Sequence, residues 1–92
     1  MESAEARDDV LQKIEQDWQR ELLAEAMRTV KARVQPHTWQ AFRLMTQEGF
    51  RGQEVADRLG MKVGAVWVAK SKVQKMIADE VRRLEKLQEL GV

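Results

Sequence analysis

The chain has 92 residues, of which 43% are hydrophobic and 34% are charged, and its net charge is +1. This length allows one domain with a modest core, and the composition excludes both a disordered chain and a membrane-spanning one. The lack of cysteine excludes disulfides and thiolate metal sites. No basic start followed by an apolar stretch suggests secretion, so we expect a cytoplasmic protein that does not enter the membrane.

The two signs of charge separate along the chain. Residues 1–27 hold eight acids and three bases, whereas residues 28–78 hold ten bases and three acids. No acid lies between Asp57 and Asp79, and five bases fall in that interval: Arg58, Lys62, Lys70, Lys72 and Lys75. Such a block is an electrostatic footprint suited to phosphate, although a solvated helix face gives the same pattern.

Apolar residues recur with helical spacing, so the fold is predicted to be all-α, a small bundle of about four helices. The first helix is expected to start near residue 5 and to carry one apolar stripe: Trp18, Leu22, Leu23, Met27, Val30 and Val34. Trp18 is expected to pack in the core, with an exposed partner-binding position as the alternative. The sole proline, Pro36, ends this helix and favours the start of the next one.

The second helix is predicted over residues 38–48. Its two aromatic residues, Trp39 and Phe42, stand at helical spacing and are expected to fill the core. Gly49 follows and is expected to stop the helix as a left-handed cap.

A helix-turn-helix is predicted after residue 52, and no winged elements are expected. A short helix over residues 53–59 carries the small Ala56 near its middle, Gly60 follows at the bend, and a long helix runs from Val63 to about residue 90. Val66, with Val73 and Ile77, would pack inward. The outer face of the long helix would then offer five side chains to a major groove: Trp67, Val68, Ser71, Lys72 and Lys75.

The segment from Glu54 to Val66, which reads EVADRLGMKVGAV, resembles region 4 of bacterial sigma factors of the extracytoplasmic-function type. Residues 34–42 (VQPHTWQAF) and 66–73 (VWVAKSKV) resemble the planctomycete-like version of this domain. The resemblance covers roughly residues 17–84. It implies a transcription-initiation domain that recognises the promoter −35 element with the helix after Lys62 and packs on the flap of the RNA polymerase β subunit.

The resemblance also implies a domain organisation. Residues 1–35 are expected to be the end of an interdomain linker, forming a helix packed on the domain, and residues 36–92 the helix-turn-helix DNA-binding domain. Region 2, which in the family reads the −10 element and holds the polymerase core, has no counterpart in this sequence. The chain is therefore expected to be an excised C-terminal half that does not initiate transcription by itself.

The charge pattern and the resemblance together predict nine DNA-contacting residues: Arg51, Gln53, Lys62, Trp67, Val68, Lys70, Ser71, Lys72 and Lys75. The family usually has basic or hydroxyl residues at the positions of Trp67 and Val68, and an aliphatic core residue at that of Lys70. Either the two apolar side chains meet thymine methyl groups, or the helix is rotated so that Lys70 and Ser71 lead into the groove. We expect the second arrangement.

No enzyme active site, cofactor or metal site is predicted. The sequence holds no glycine-rich phosphate loop and no nucleophile paired with a base, and His37 is its single histidine.

The main alternative function is a protein-interaction module. The last helix carries Leu84, Leu87 and Leu90 in a spacing that suits a dimerising coil, and these leucines exceed the needs of a small core. They would suit an anti-sigma factor or a second copy, so the chain is expected to be a monomer or a weak dimer. A response-regulator output domain is a further alternative, because it shares the helix-turn-helix.

Overall fold

The computed structural model describes the backbone of residues 2–90 and the side chains of residues 16–90. Within residues 2–90 the chain forms four helices and no strand: α1 (Glu2–Arg33), α2 (Pro36–Thr46), α3 (Gly52–Leu59) and α4 (Val63–Glu89). The all-α class and the helix-turn-helix are therefore confirmed. None of these helices is both long enough and apolar enough to cross a membrane. The acidic residues before Gln16, which belong to the acidic block of residues 1–27, have side chains outside the described range.

Proline and glycine set the boundaries between the helices. Pro36 occupies the first turn of α2, after an extended Gln35 at the N-cap. This helix begins two residues earlier than the sequence predicted, because the proline ring already has the φ that a helix needs. Gly49 has the expected positive φ of 73°. It is not the cap, however, since α2 ends at Thr46 and Gln47 is the capping residue. The start of α1 at Glu2 is also earlier than expected.

Two clusters of buried side chains hold the helices together, and α4 contributes to both. The first cluster joins α1, α2 and α4 through Ala26, Val30, Trp39, Phe42, Val73 and Ile77. Its two aromatic rings lie 5.2 Å apart, centroid to centroid, and are tilted by 43°, as expected of core aromatics. The second cluster joins α2, α3 and α4 through Ala41, Leu44, Val55, Ala56, Val66 and Ala69.

The prediction that Trp18 packs in the core is wrong. Its side chain is 44% exposed, because all described side chains of α1 before Leu22 face solvent and no described neighbour covers them. Leu22 is the first buried residue of the stripe, and Leu23 beside it is exposed. At the end of α4, Leu84 packs against the first cluster, whereas Leu87 and Leu90 are exposed.

Candidate nucleic-acid interface

The turn between α3 and α4 is fixed by one glycine and two backbone hydrogen bonds. Gly60 caps α3 in the left-handed conformation, with φ 64° and ψ 33°. Its N–H and that of Met61 both donate to the carbonyl oxygen of Ala56, the latter over 2.9 Å. These bonds satisfy one of the carbonyl groups that a helix end leaves open. The chain then reaches Lys62, which is extended at the N-cap of α4.

Small and β-branched side chains let α3 and α4 cross. Ala56 is 4% exposed and Val55 is fully buried on the α3 side. On the α4 side, Val66 is fully buried and Ala69 nearly so. The buried positions Val66, Ala69 and Val73 recur at spacings of three and four residues, so they define the inward side of α4. The residues between them are consequently turned outward.

The outward side of α4 carries the five residues that the helical spacing predicted. Trp67, Val68, Ser71, Lys72 and Lys75 border one shallow, open depression of about 420 Å³. All five side chains are exposed, and no acidic residue lies on α4 before Asp79. The surface combines positive charge, a hydroxyl group and apolar area. We call these five residues the α4 face.

Trp67 forms one wall of the α4 face and is held from two sides. Its indole packs on Gly52 at the start of α3, where an added β-carbon would be 3.1 Å from both Cε2 and Nε1. The ammonium group of Lys70 lies 5.2 Å from the centroid of the same ring, a distance at which a cation is attracted to the π-system. The ring is therefore fixed against α3, although about half of it remains exposed.

The position of Lys70 bears on the two arrangements left open by the sequence. Lys70 is half-buried beside Trp67, whereas Val68 is 68% exposed and Ser71 faces outward. A rotated helix led by Lys70 would have to release the lysine from the indole and bury Val68. The packing thus exposes Val68 and holds Lys70 against Trp67, and the arrangement of these residues in a groove stays a prediction.

The three remaining predicted residues lie at the starts of the two helices. Arg51 is the exposed N-cap of α3, and its backbone N–H donates to Oε1 of Glu54 over 3.1 Å. The side-chain amide of Gln53 donates to Oδ1 of Asp57 over 3.0 Å. These acids bring negative charge next to Arg51 and Gln53. Lys62, by contrast, is the exposed N-cap residue of α4 and has no described ion pair.

The sequence did not draw attention to Gly52 or Gly64. The predicted α3 began at residue 53, one residue after Gly52. The packing of Trp67 on Gly52 is a contact between two helices, which local sequence signals do not reveal. Gly64 lies in the first turn of α4 with nothing within 4 Å of a β-carbon position. The signal that could have drawn attention to it is a glycine inside a predicted helix, where glycine is less favourable than alanine.

Glu80 is the one described buried charged residue, with 5% of its surface exposed. It accepts a hydrogen bond of 3.0 Å from Nε of Arg83 and lies 3.9 Å from a guanidinium nitrogen of Arg33 on α1. The hydrogen bond from Arg83 is the main cause that lowers the pKa of the Glu80 carboxyl, against the opposing effect of burial. The residue thus links α4 to α1 away from the α4 face.

A second surface lies further along α4. It is an open groove of about 790 Å³ between α1, α2 and α4, with an apolar floor that includes Met27, Phe42, Ile77 and Val81. Arg82 and Glu85 stand among the residues that line it. The groove is therefore apolar within a charged rim.

The chain was compared with protein-family models, with curated proteins and with solved structures. None of the three comparisons gives a match.

Proposed function

We propose that this chain binds duplex DNA with the N-terminal half of α4 in the major groove. The observation that carries the proposal is the α4 face, an exposed helix surface with two lysines and no acid, standing directly behind a glycine turn and a short supporting helix. A helix of this kind fits the width of the major groove. Its inward side is already committed to the core, so the outward side is free for a ligand.

Phosphate contacts would come from the residues around the α4 face. Lys62, Lys72 and Lys75 carry exposed ammonium groups at or near this face. Arg51, the exposed N-cap residue of α3, would add a guanidinium group. These groups would position the protein on the backbone, while the centre of the α4 face reads the bases.

The finer proposal is that the domain serves as region 4 of an extracytoplasmic-function sigma factor, reading a promoter −35 element. Its support is the sequence resemblance, together with a turn whose glycine has the backbone conformation that the motif requires. The apolar groove between α1, α2 and α4 supplies a second surface, suited to a helix of a protein partner. The proposed partner for it is the flap of the RNA polymerase β subunit.

The test is a salt series of binding to a random pool of duplex DNA, followed by sequencing of the bound fraction. The wild type is compared with Lys72→Ala and with the control Lys86→Ala, which removes the same charge about four turns further along α4. We expect Lys72→Ala to weaken binding and to reduce the slope of log affinity against log salt by about one. Lys86→Ala should bind like the wild type.

Enrichment of one short sequence that Lys72→Ala loses would support readout by the α4 face. Equal binding by the two variants would contradict the proposed surface. Absence of binding even at low salt would contradict DNA binding itself.

A second candidate function is self-association through the end of α4. The observation in its favour is the exposure of Leu87 and Leu90, at 42% and 72%. Sedimentation of the chain as a dimer, combined with no binding to DNA at low salt, would favour this function.

A further inference from the structure

Val68 stands out among the groups of the α4 face. Its side chain is 68% exposed, while Val66 two residues earlier and Val73 five residues later are fully buried. The packing of α4 therefore leaves Val68 no place in the core. A single exposed valine is ordinary on a protein surface, so what matters is the place of Val68 on the α4 face.

The surroundings of Val68 leave it open to a ligand. Helical side chains lean toward the N-terminus, so that of Val68 extends over the turn that contains Gly64. Gly64 has no side chain, and nothing lies within 4 Å of the place where one would begin. The β-branched side chain has one strongly preferred rotamer in a helix. Its two methyl groups are thus both accessible and fixed in direction.

Trp67, the other apolar residue of the α4 face, is less accessible to a ligand than Val68. Its indole is held by Gly52 on one side and by Lys70 on the other, so it borders the surface rather than occupying the middle. The flanking groups are polar: Ser71 and Lys75 lie along the same side of α4. Val68 is therefore the freely accessible apolar side chain of a face that also carries Ser71 and two lysines.

We infer that Val68 selects a thymine by contacting its 5-methyl group in the major groove. This inference rests on the proposed DNA binding and specifies which base the α4 face reads. Thymine presents a methyl group beside its O4 acceptor in the major groove, whereas the other three bases are read there through hydrogen-bond donors and acceptors without a methyl group. A valine cannot satisfy those groups, so contact with any other base would leave them unpaired.

The experiment removes the methyl group from each partner in turn. The sequence enriched from the random pool is made as a duplex, and each thymine is replaced singly by deoxyuridine, which pairs alike but lacks the 5-methyl group. Binding is measured for the wild type and for Val68→Ala. At one thymine we expect the wild type to bind the uracil duplex about fourfold more weakly, the effect of losing one buried methyl contact.

The effects on binding of replacing the thymine and of replacing Val68 should not be additive. Val68→Ala is expected to lose most of the preference for thymine over uracil, because the shorter side chain withdraws the two γ-methyl groups from the base. A matched control is Ala65→Gly, which removes an exposed methyl group three residues before Val68 on α4. This variant should keep the full preference for thymine.

The outcomes separate this inference from DNA binding as such. A chain that binds DNA without any thymine at which uracil weakens binding would overturn the role of Val68, and so would an equal uracil effect in the wild type and Val68→Ala. A chain that binds neither the random pool nor any duplex at low salt would instead overturn the proposed function.

Discussion

The indole of Trp67 lies against the backbone of Gly52 so closely that a β-carbon at residue 52 would be 3.1 Å from its Cε2 and Nε1 atoms. This contact joins the first turn of α3 to the second turn of α4. It makes the absence of a side chain at residue 52 a condition for the position of the ring that borders the α4 face.

Gly52→Ala is expected to displace the Trp67 ring. The indole has to shift by a few tenths of an ångström to accept the new methyl group, and its exposed side leaves room for the movement. The indole N–H resonance of Trp67 should therefore move in a ¹H–¹⁵N spectrum, while those of Trp18 and Trp39 stay in place. Gly64→Ala is the control, since its added β-carbon meets nothing within 4 Å. An unmoved Trp67 signal in Gly52→Ala would contradict the contact.

Two valines on opposite sides of α4 should differ in their effect on stability. Val66 is fully buried between α3 and α4, whereas Val68 is 68% exposed. Replacing Val66 by alanine leaves a cavity and should lower the free energy of unfolding by about 2 kcal/mol. The same change at Val68 should alter it by less than about 0.5 kcal/mol. Urea titrations of both variants measure the difference, and similar losses would mean that the register of α4 is wrong.

Gly60→Ala is expected to destabilise the helix-turn-helix. Gly60 has φ 64° and ψ 33°, a conformation that costs an alanine about 1 kcal/mol. Thermal unfolding should show a lower midpoint for this variant. Gly60→Asn should fall between the wild type and Gly60→Ala, because asparagine tolerates the left-handed region better than alanine does. If Gly60→Ala were as stable as the wild type, the turn would not need this conformation.

Stability should depend on pH through Glu80. Its folded pKa lies below the ordinary 4.5, chiefly because Arg83 donates a hydrogen bond to the carboxylate, with further attraction from Arg33 and Arg83. The stabilisation is therefore complete above pH 4.5 and is lost as the pH falls through the lowered value. We expect Glu80→Gln to lower the free energy of unfolding at about pH 7 and to lose less than the wild type on acidification.

The control for this prediction is Glu85→Gln, which removes an exposed carboxylate from the same helix. Its free energy of unfolding should follow the wild type as the pH falls. Urea titrations at several pH values provide the comparison. A Glu80→Gln variant with the acid sensitivity of the wild type would show that another group is responsible.

Local signals in the sequence were sufficient for the helix-turn-helix. The left-handed Gly60 and the inward spacing of Val66, Val73 and Ile77 depend only on residues near each other in the chain. The burial of Trp39 and Phe42 in α2 could also be predicted, because aromatic residues at helical spacing bury a large area.

The features that the sequence did not predict depend on which helices meet. Trp18 belongs to the apolar stripe of α1, but its burial needed a neighbour that is not there among the described residues. The contact of Lys70 with Trp67 could not be read from the sequence either, because it depends on the position of the indole against α3. Glu80, three residues before Arg83, has the spacing of an ordinary surface ion pair, and its burial follows from the packing of α1.

Because α4 supplies residues to both buried clusters, the order of synthesis has a consequence for folding. When α1, α2 and α3 have left the ribosome, neither cluster yet has the side chains that close it. The helices α2 and α3, with 11 and 8 residues, are too short to be stable in water without those contacts. Both clusters become complete once the segment from Val66 to Ile77 has emerged. Folding during translation should therefore be a single late event, and a chain released before Val66 should be a target for proteases.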